Sequence, residues 1–250
     1  MRVLKRDAFG RVELVAAADG PLVRRVAAGG PFPGTRWIAR VLLARERRAL
    51  RCLAGVPGVA ALHARDGASA ARTTLLRGWI EGRPLCLATE LPRDYFERLE
   101  ELVRALHDRG VCHNDLHKEA NVLVGDDGRP ALVDFQLASV HARRGRLFAS
   151  RAREDLRHVW KHRSFYLAAL GEPDPLAGAA PRRSFVAETW RRLGKPIYGA
   201  LKRLIRGSRA SESDEPRRGR GDPWPRWRDP VGPRVSVAPG SSPGDPARAR

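Results

Sequence analysis

The sequence predicts an α+β fold of two lobes, a small β-rich N-terminal lobe followed by a mostly helical, shortened C-terminal lobe. Strand-like runs separated by turn residues fill most of residues 1–80, together with one amphipathic helical pattern. Helical periodicity dominates residues 83–206. The final segment, 207–250, is rich in Pro, Gly, Ser and Arg. We expect it to be disordered, because it holds too little apolar surface to offset the entropy lost on ordering.

The composition is that of a strongly basic chain, with 250 residues and a formal net charge of +19. Such a charge favours an anionic partner: nucleotide phosphates, nucleic acid, a phosphorylated glycolipid or an anionic membrane face. A general preference for arginine over a solvated surface explains it equally well. The three scattered cysteines have no paired metal spacing and are typical of reduced thiols, so we expect a cytoplasmic protein. No apolar run reaches the roughly 18 residues of a transmembrane helix.

Five strands and one helix are predicted in the first lobe. Turn signals at Asp7–Gly10 and Asp19–Gly20 separate three strand-like runs. A helical pattern with one apolar face then extends from about 36 to 53, where glycine and proline end it. Two further strand-like runs follow, near Val59–Leu62 and Thr73–Ile80.

The second lobe is predicted to contain three helical segments. The first begins near Pro92 and presents an apolar stripe, and the others cover about 153–170 and 184–206. Within the last one, residues 195–206 carry apolar side chains on one face and cations on the other. That pattern suits a closing helix packed on the lobe, or a peripheral contact with an anionic inner-membrane surface.

The segment between the first two of these helices carries the most informative polar residues. Asp127-Gly128, flanked by apolar runs, predicts a β-hairpin with a two-residue turn. In that register Asn121 lies directly opposite Asp134, so their side chains share one face. Such oxygen ligands suit Mg²⁺ bound to nucleotide phosphates. Asp115, in the loop before the hairpin, can reach the same place and accept the proton of an attacking hydroxyl group.

This segment resembles the catalytic loop and metal-binding motif of protein-kinase-like enzymes, in His113-Asn114-Asp115-Leu116, Asn121 and Asp134-Phe135-Gln136. The resemblance is to the bacterial branch that holds RIO-like and lipopolysaccharide (Kdo/heptose) kinases, and it covers roughly residues 1–206. It implies a bilobal protein-kinase-like fold that uses ATP and Mg²⁺. By this resemblance Asp115 is the catalytic residue, and Asn121 and Asp134 are the metal ligands.

Two departures from the kinase pattern bear on the reaction. Asn121 follows Asp115 by six residues, which indicates one extra residue in the loop. Gln136 stands where the resemblance implies glycine, and no Ala-Pro-Glu sequence follows it. We therefore expect neither a flipping activation segment nor the usual peptide-docking segment.

On the nucleotide side, the resemblance implies a cation on the third strand paired with a carboxylate on the helix. Glu46 is the only acidic residue between positions 20 and 65 and is the candidate carboxylate, with a surface ion pair as the alternative role. Arg25 aligns with the lysine of the kinase pattern, and Lys5 on the first strand is the alternative cation. Gly78 and Ile80 resemble the hinge, where a backbone carbonyl and a backbone N–H would meet the adenine edge.

Four further residues have predicted structural roles. By resemblance Asp155 braces the backbone of the catalytic loop, and capping the N-terminus of a helix is the alternative. The sequence favours a buried small residue at Cys112, a brace of the loop at His113 and a surface imidazole at His117.

The expected function is transfer of the γ-phosphoryl group of Mg-ATP to a hydroxyl group. The acceptor is a protein Ser/Thr side chain, as the resemblance to RIO-like enzymes implies, or a sugar hydroxyl of an anionic glycolipid. The basic charge and the missing peptide-docking segment favour the sugar. A pseudokinase that binds nucleotide without turnover is the alternative of another class. Nucleic acid is not the expected partner, since aromatic residues make up 6% of the chain and no recognised motif is present.

Overall fold

The computed structural model describes residues 1–7, 9–18, 20–30, 34–63, 72–174 and 225–228. These residues form the bilobal α+β fold that the sequence predicts, with an antiparallel sheet first and helices after it. The helical pattern predicted at 184–206, with its candidate membrane-facing part, lies outside the described residues. Within the described part of the chain, no helix is both long enough and apolar enough to span a bilayer.

A five-stranded antiparallel sheet forms the first lobe, in the spatial order β1-β2-β3-β5-β4. Its strands are β1 (Arg2–Asp7), β2 (Gly10–Val15), β3 (Leu22–Ala27), β4 (Leu62–His63) and β5 (Thr74–Gly78). The strand number that the turn signals predict is thus confirmed. Lys5 lies opposite Val12, Val12 opposite Arg25, and Arg25 opposite Leu75. Directly opposed residues share a face, so these four side chains point to the same side of the sheet.

Helix α1 (Thr35–Cys52) follows the first three strands, close to the predicted bounds. Its buried positions recur at helical spacing and include Ala39, Leu43, Glu46 and Leu50. Leu43 and Leu50 belong to the hydrophobic core of the protein. Because Glu46 lies in the same stripe, the only carboxylate of this helix points inward.

The second lobe is built around two helices and several short strands. They are β6 (Arg83–Pro84), β7 (Glu90–Pro92), α2 (Tyr95–Asp108), β8 (Val111–Cys112), β9 (Val122–Val124), β10 (Pro130–Leu132), β11 (Ser139–Val140) and α3 (Arg146–Ala169). Helix α2 begins just after Pro92, as predicted. Its residues Leu99, Val103 and Leu106 are fully buried in the same core as Tyr166 of α3.

The β9–β10 hairpin has a different register from the predicted one. Val124 pairs with Pro130. The N–H of Gly125 donates to the carbonyl of Arg129, and the carbonyl of Gly125 accepts from the N–H of Gly128, which closes a loop of three residues, 126–128. Gly128 has a φ of 77°. A left-handed glycine at the third loop position is typical of three-residue hairpins, so this position sets the turn.

The predicted pairing of Asn121 with Asp134 is therefore wrong by one residue. The residue that meets Asn121 is Val133, whose backbone N–H donates to the Asn121 carbonyl at 3.0 Å. Asp134 comes directly after this contact, so it is still a near neighbour of Asn121 along the hairpin. The side chain of Asn121 contacts Asp115, and that of Asp134 contacts Arg25, so the predicted face-sharing pair is not formed.

A short strand from the basic C-terminal segment lies beside the second lobe. Strand β12 (Arg226–Arg228) runs parallel to β7, with Arg226 opposite Glu90. It is an exception to the disorder predicted for 207–250, and the rest of that segment, apart from residue 225, lies outside the described residues.

Gly58 and Gly55 provide a matched test of the packing after α1. Both have left-handed φ values, 83° and 78°, so alanine brings similar backbone strain at each position. An added Cβ would lie 2.8 Å from the carbonyl oxygen of Pro130 at Gly58, and would meet nothing within 4 Å at Gly55. We expect Gly58→Ala to lower the free energy of unfolding by about 1–3 kcal/mol more than Gly55→Ala, measured by urea denaturation. Equal losses would contradict this close approach.

Candidate active site

Arg25 on β3 lies at the centre of an ion cluster between the sheet, helix α1 and the segment after β10. Its Nη1 donates to the carboxylates of Glu46 at 2.9 Å and Asp134 at 3.0 Å. Its Nη2 donates to the side-chain oxygen of Gln136. The structure thus brings Arg25, Glu46 and Asp134 into direct contact. It adds Gln136 to them, whereas the sequence indicated only that glutamine at this position disfavours a flipping activation segment.

Glu46 also faces a second arginine, which sequence reasoning missed. Nε of Arg77 on β5 lies 3.6 Å from the other oxygen of Glu46. Arg77 comes two residues after Leu75, which opposes Arg25, so both arginines point to the same face of the sheet. Burial raises the pKa of Glu46, and the two guanidinium groups oppose that rise. The available signal was an arginine in an otherwise apolar strand next to the predicted hinge.

Lys5, the alternative cation, lies on the same face of the sheet but farther from Glu46. Val12 separates it from Arg25 in the strand register, which corresponds to a distance of roughly 10 Å between their strands. Among the described residues, Lys5 has no ion pair with Glu46 or Asp134, whereas Arg25 contacts both.

Asp115 occupies the loop between β8 and β9 and is almost completely buried. The side-chain nitrogen of Asn121 donates to Oδ2 of Asp115 and to its backbone carbonyl, both at 3.0 Å. Because both amide hydrogens are committed to Asp115, the amide oxygen is the atom that Asn121 offers to a cation. An amide oxygen here and the Asp134 carboxylate nearby are the hard ligands that Mg²⁺ prefers, so the residues fit the predicted metal.

Two side chains from the loop after Asp115, at positions 117 and 118, flank its carboxylate. Nζ of Lys118 lies 3.3 Å from Oδ2, and Nδ1 of His117 lies 3.1 Å from Oδ1. Burial acts to raise the pKa of Asp115, but His117 and Lys118 outweigh it and hold that pKa below its ordinary value. Oδ1 is buried, and among the described residues no hydrogen bond of normal geometry to it is formed, although Nδ1 of His117 lies beside it. The carboxylate is thus ionised at neutral pH, with Oδ1 facing the partly exposed ring of His117.

His117 and Lys118 were not predicted to act in the site. His117 has a side chain that is 57% exposed, which agrees with the surface imidazole expected from the sequence, yet it also contacts Asp115. The available signal was their position in the loop, two and three residues after the candidate catalytic carboxylate.

Asp155 of α3 holds the catalytic loop by its backbone. Its carboxylate accepts the N–H groups of His113 at 2.7 Å and Asn114 at 2.9 Å, and it lies 3.2 Å from Nε2 of His107. Because α3 begins at Arg146, Asp155 lies inside the helix and not at its N-terminus. Helix capping is therefore the wrong alternative, and bracing of the loop is the one observed.

Two more side chains of α3 hold the loop farther along. Nε2 of His162 lies 2.8 Å from the carbonyl oxygen of Leu116, and the Tyr166 hydroxyl donates to Glu119 at 2.7 Å. Positions 155, 162 and 166 lie about two turns and then one turn apart, so they share one face of the helix. A single rigid helix face thus fixes the loop over most of its length.

The loop is also tied to the strand that leads to Asp134. Nε2 of His113 lies 3.0 Å from the carbonyl oxygen of Val133, and its ring packs against Phe135 with centroids 4.7 Å apart. The backbone N–H of Val133 also donates to the Asn121 carbonyl. Val133 therefore joins the loop to the strand that continues into Asp134. The predicted brace at His113 is confirmed.

The predicted hinge residues lie at the end of β5. The backbone N–H of Trp79, between Gly78 and Ile80, donates to the carbonyl of Pro21 at 3.1 Å, which ties this segment to the turn before β3. Ile80 also lines a cavity of about 820 Å³ that includes none of the charged residues of the site. This cavity lies behind the hinge and is bordered by α2 and the β9–β10 loop, so it is separate from the candidate active site.

His107, Cys112 and Asp155 bring three ligand atoms within 4.8 Å of one another, a spacing that a metal ion could use. The Cys112 thiol is buried and donates to the carbonyl oxygen of Phe148 at 3.9 Å. The oxygens of Asp155 already accept two backbone N–H groups. The cluster is therefore a support of the catalytic loop.

Comparison with known families identifies residues 13–143 as matching the phosphotransferase enzyme family. The matched range covers more than half of the chain and contains Arg25, Asp115 and Asp134. The chain belongs to the phosphotransferase enzyme family. Membership supports the expected protein-kinase-like superfamily, and the RIO-like and lipopolysaccharide kinase branch stays a prediction. No curated protein matches this phosphotransferase in sequence.

Asp155→Asn tests whether α3 holds the catalytic loop of the phosphotransferase. An amide presents only one acceptor oxygen and turns its NH₂ group towards a backbone N–H, so one of the two loop contacts is lost. We expect the free energy of unfolding to fall by about 2–4 kcal/mol. The amides of His113 and Asn114 should exchange hydrogen faster, measured by NMR. Asp108→Asn, at the exposed last position of α2, serves as the control, and unchanged exchange in Asp155→Asn would contradict the brace.

Proposed function

We propose that this phosphotransferase moves the γ-phosphoryl group of Mg-ATP to a hydroxyl group, with Asp115 as the catalytic residue. The observation that carries the proposal is the state of Asp115: a buried, ionised carboxylate whose Oδ1 faces the partly exposed imidazole of His117 at 3.1 Å. Asn121 fixes the other oxygen, so the carboxylate is oriented before an acceptor arrives. A general base needs this fixed geometry, and the acceptor hydroxyl takes the place of His117 beside Oδ1.

Arg25 is the proposed anchor for the nucleotide phosphates. Its planar guanidinium can bind phosphate oxygens through two N–H groups, which a lysine cannot do. Glu46 and Asp134 hold it in place, and Lys5 on the same face is the second cation within reach of a polyphosphate. Gly78 supplies the proposed carbonyl for the base.

Asn121 and Asp134 are the proposed magnesium ligands, through the amide oxygen and the carboxylate. The ion, when bound, supplies positive charge that offsets the charge on the transferring phosphoryl group. Ile80 completes the nucleotide site with its backbone N–H, which is the proposed donor to the adenine ring.

The reaction then needs little beyond positioning. The acceptor oxygen forms a bond to the γ-phosphorus as the bond from that phosphorus to the bridging oxygen breaks, and the electron pair leaves with ADP. Oδ1 of Asp115 accepts the hydroxyl proton. Lys118, 3.3 Å from the other oxygen, is close enough to offset negative charge on the transferring group.

A protein serine or threonine is the first candidate acceptor, as the resemblance to RIO-like enzymes implies. The sugar hydroxyl of an anionic glycolipid is the second, and the surroundings of Oδ1 support it. An acceptor that donates to Oδ1 of Asp115 must pass His117, whose ring lies 5.9 Å from that of His158 on α3. Burial, reinforced by the charge of Arg157, lowers the pKa of His158 to about 4, so this ring is neutral.

Cations continue this surface along α3. Lys161 is exposed and lies one helical turn beyond Arg157. The nearby carboxylate of Glu154 is already paired with Arg157 at 2.5 Å, so Lys161 is an exposed cation beside a neutralised pair. An anionic acceptor is the one that such a surface attracts. We place the protein in the cytoplasm, with peripheral contact at the inner face of the membrane if the acceptor is a glycolipid.

Transfer of labelled phosphate from ATP into a cell lysate, separated into protein and glycolipid fractions, tests the proposal. We expect Mg²⁺-dependent labelling by the wild-type protein and a loss of about 10²-fold or more in Asp115→Asn, because the general base is removed. Asp126→Asn, in the exposed hairpin loop, is the matched control and should label normally. Undiminished labelling by Asp115→Asn would contradict the assignment. Nucleotide binding without labelling by the wild-type protein would favour a pseudokinase.

A further inference from the structure

Gln136 links the two charged side chains on the phosphate side of the site. Its amide oxygen accepts a hydrogen bond from Nη2 of Arg25, and its amide nitrogen donates to Oδ2 of Asp134 at 3.2 Å. Nη1 of Arg25 donates to Oδ1 of Asp134 at 3.0 Å. The three side chains form a closed ring, which needs a residue that both donates and accepts.

The backbone that carries Gln136 is held from two sides. The side chain of Asn114, in the catalytic loop, donates to the carbonyl of Leu137 at 2.9 Å. Arg45 of α1 donates to the carbonyls of Leu137 at 3.0 Å and Ala138 at 3.2 Å. Gln136 is therefore fixed relative to both the catalytic loop and the helix that carries Glu46.

Asp134 has an unusual backbone conformation that needs such support. Its φ of 66° and ψ of 60° lie in the left-handed region, which is uncommon for a residue other than glycine. A residue keeps such a conformation only when its surroundings over-determine it. The ring with Arg25 and Gln136 supplies two of the contacts that do so. Glycine at 136 would leave Oδ2 of Asp134 without this donor.

We propose that Gln136 is a positioning residue that holds Asp134 and Arg25 in the arrangement that binds Mg²⁺ and nucleotide phosphates together. This inference rests on the proposed function, because it takes Asp134 as a metal ligand and Arg25 as the phosphate anchor. The amide of Gln136 keeps Asp134 oriented while Arg25 stays paired with Glu46 and Asp134. The metal ligand is then assembled in advance, and no separate activating rearrangement of this segment is needed.

The test measures the affinity of the full chain for a non-hydrolysable ATP analogue by calorimetry, in excess Mg²⁺ and in EDTA. The ratio of the two affinities is the quantity that Gln136 is expected to set. Gln136→Leu keeps the approximate size of the side chain and removes both hydrogen bonds. We expect the ratio to fall about tenfold, and the affinity in EDTA to change by less than about threefold. Leu137→Ala, at the exposed neighbouring position, should keep the wild-type ratio.

Gln136→Asn provides a second variant in case Gln136→Leu does not fold, as judged by circular dichroism. Its shorter amide cannot close the ring, so the same fall in the ratio is expected. A wild-type ratio in a folded variant would overturn the positioning role, as would an equal loss of affinity in Mg²⁺ and in EDTA. If the wild-type protein binds the analogue with no dependence on Mg²⁺, or does not bind it, the proposed function fails, and this inference fails with it.

Discussion

The contact of Arg25 with Glu46 and Asp134 is the interaction on which the rest of the site depends. It joins three parts of the chain that are far apart in sequence: strand β3, helix α1 and the segment after β10. Charges in such a place lose much of their hydration, so the cluster is weak evidence for added stability. Removing one partner of a buried pair, in contrast, costs about 3–5 kcal/mol. The cluster therefore fixes where these groups lie more than it stabilises the fold.

Rigid support on the other side of the site complements this cluster. One face of α3 holds the catalytic loop through Asp155, His162 and Tyr166. The loop in turn meets the strand that leads to Asp134 through the backbone of Val133. The ion cluster around Arg25 and the loop held by α3 thus meet at two adjacent residues, Val133 and Asp134. Such an arrangement suits phosphoryl transfer, in which the protein acts mainly by positioning groups and offsetting charge.

The sequence predicted the strands, α1 and the polar residues of the catalytic segment, because these depend on local periodicity and short spacings. The predicted hairpin register was wrong, because Asp127-Gly128 is compatible with two- and three-residue loops, and these differ in whether Asp127 is left-handed, which it is not here. The roles of Arg77 and Gln136 were also missed. For Arg77 the sequence offered only an arginine in an apolar strand, whereas the contact of Gln136 with Arg25 joins residues 111 positions apart and no local pattern reports it.

The most direct measurement of the central claim is the affinity for Mg-ATP of two variants of adjacent residues on β3. Arg25 points to the face with Glu46, whereas Arg24 points to the opposite face and binds Glu13 at 2.6 Å. Methionine at either position removes one positive charge from the same strand. If Arg25 anchors the phosphates, Arg25→Met loses about tenfold or more in affinity, and Arg24→Met retains the wild-type value. Equal affinities in the two variants would contradict the assignment of the phosphate site.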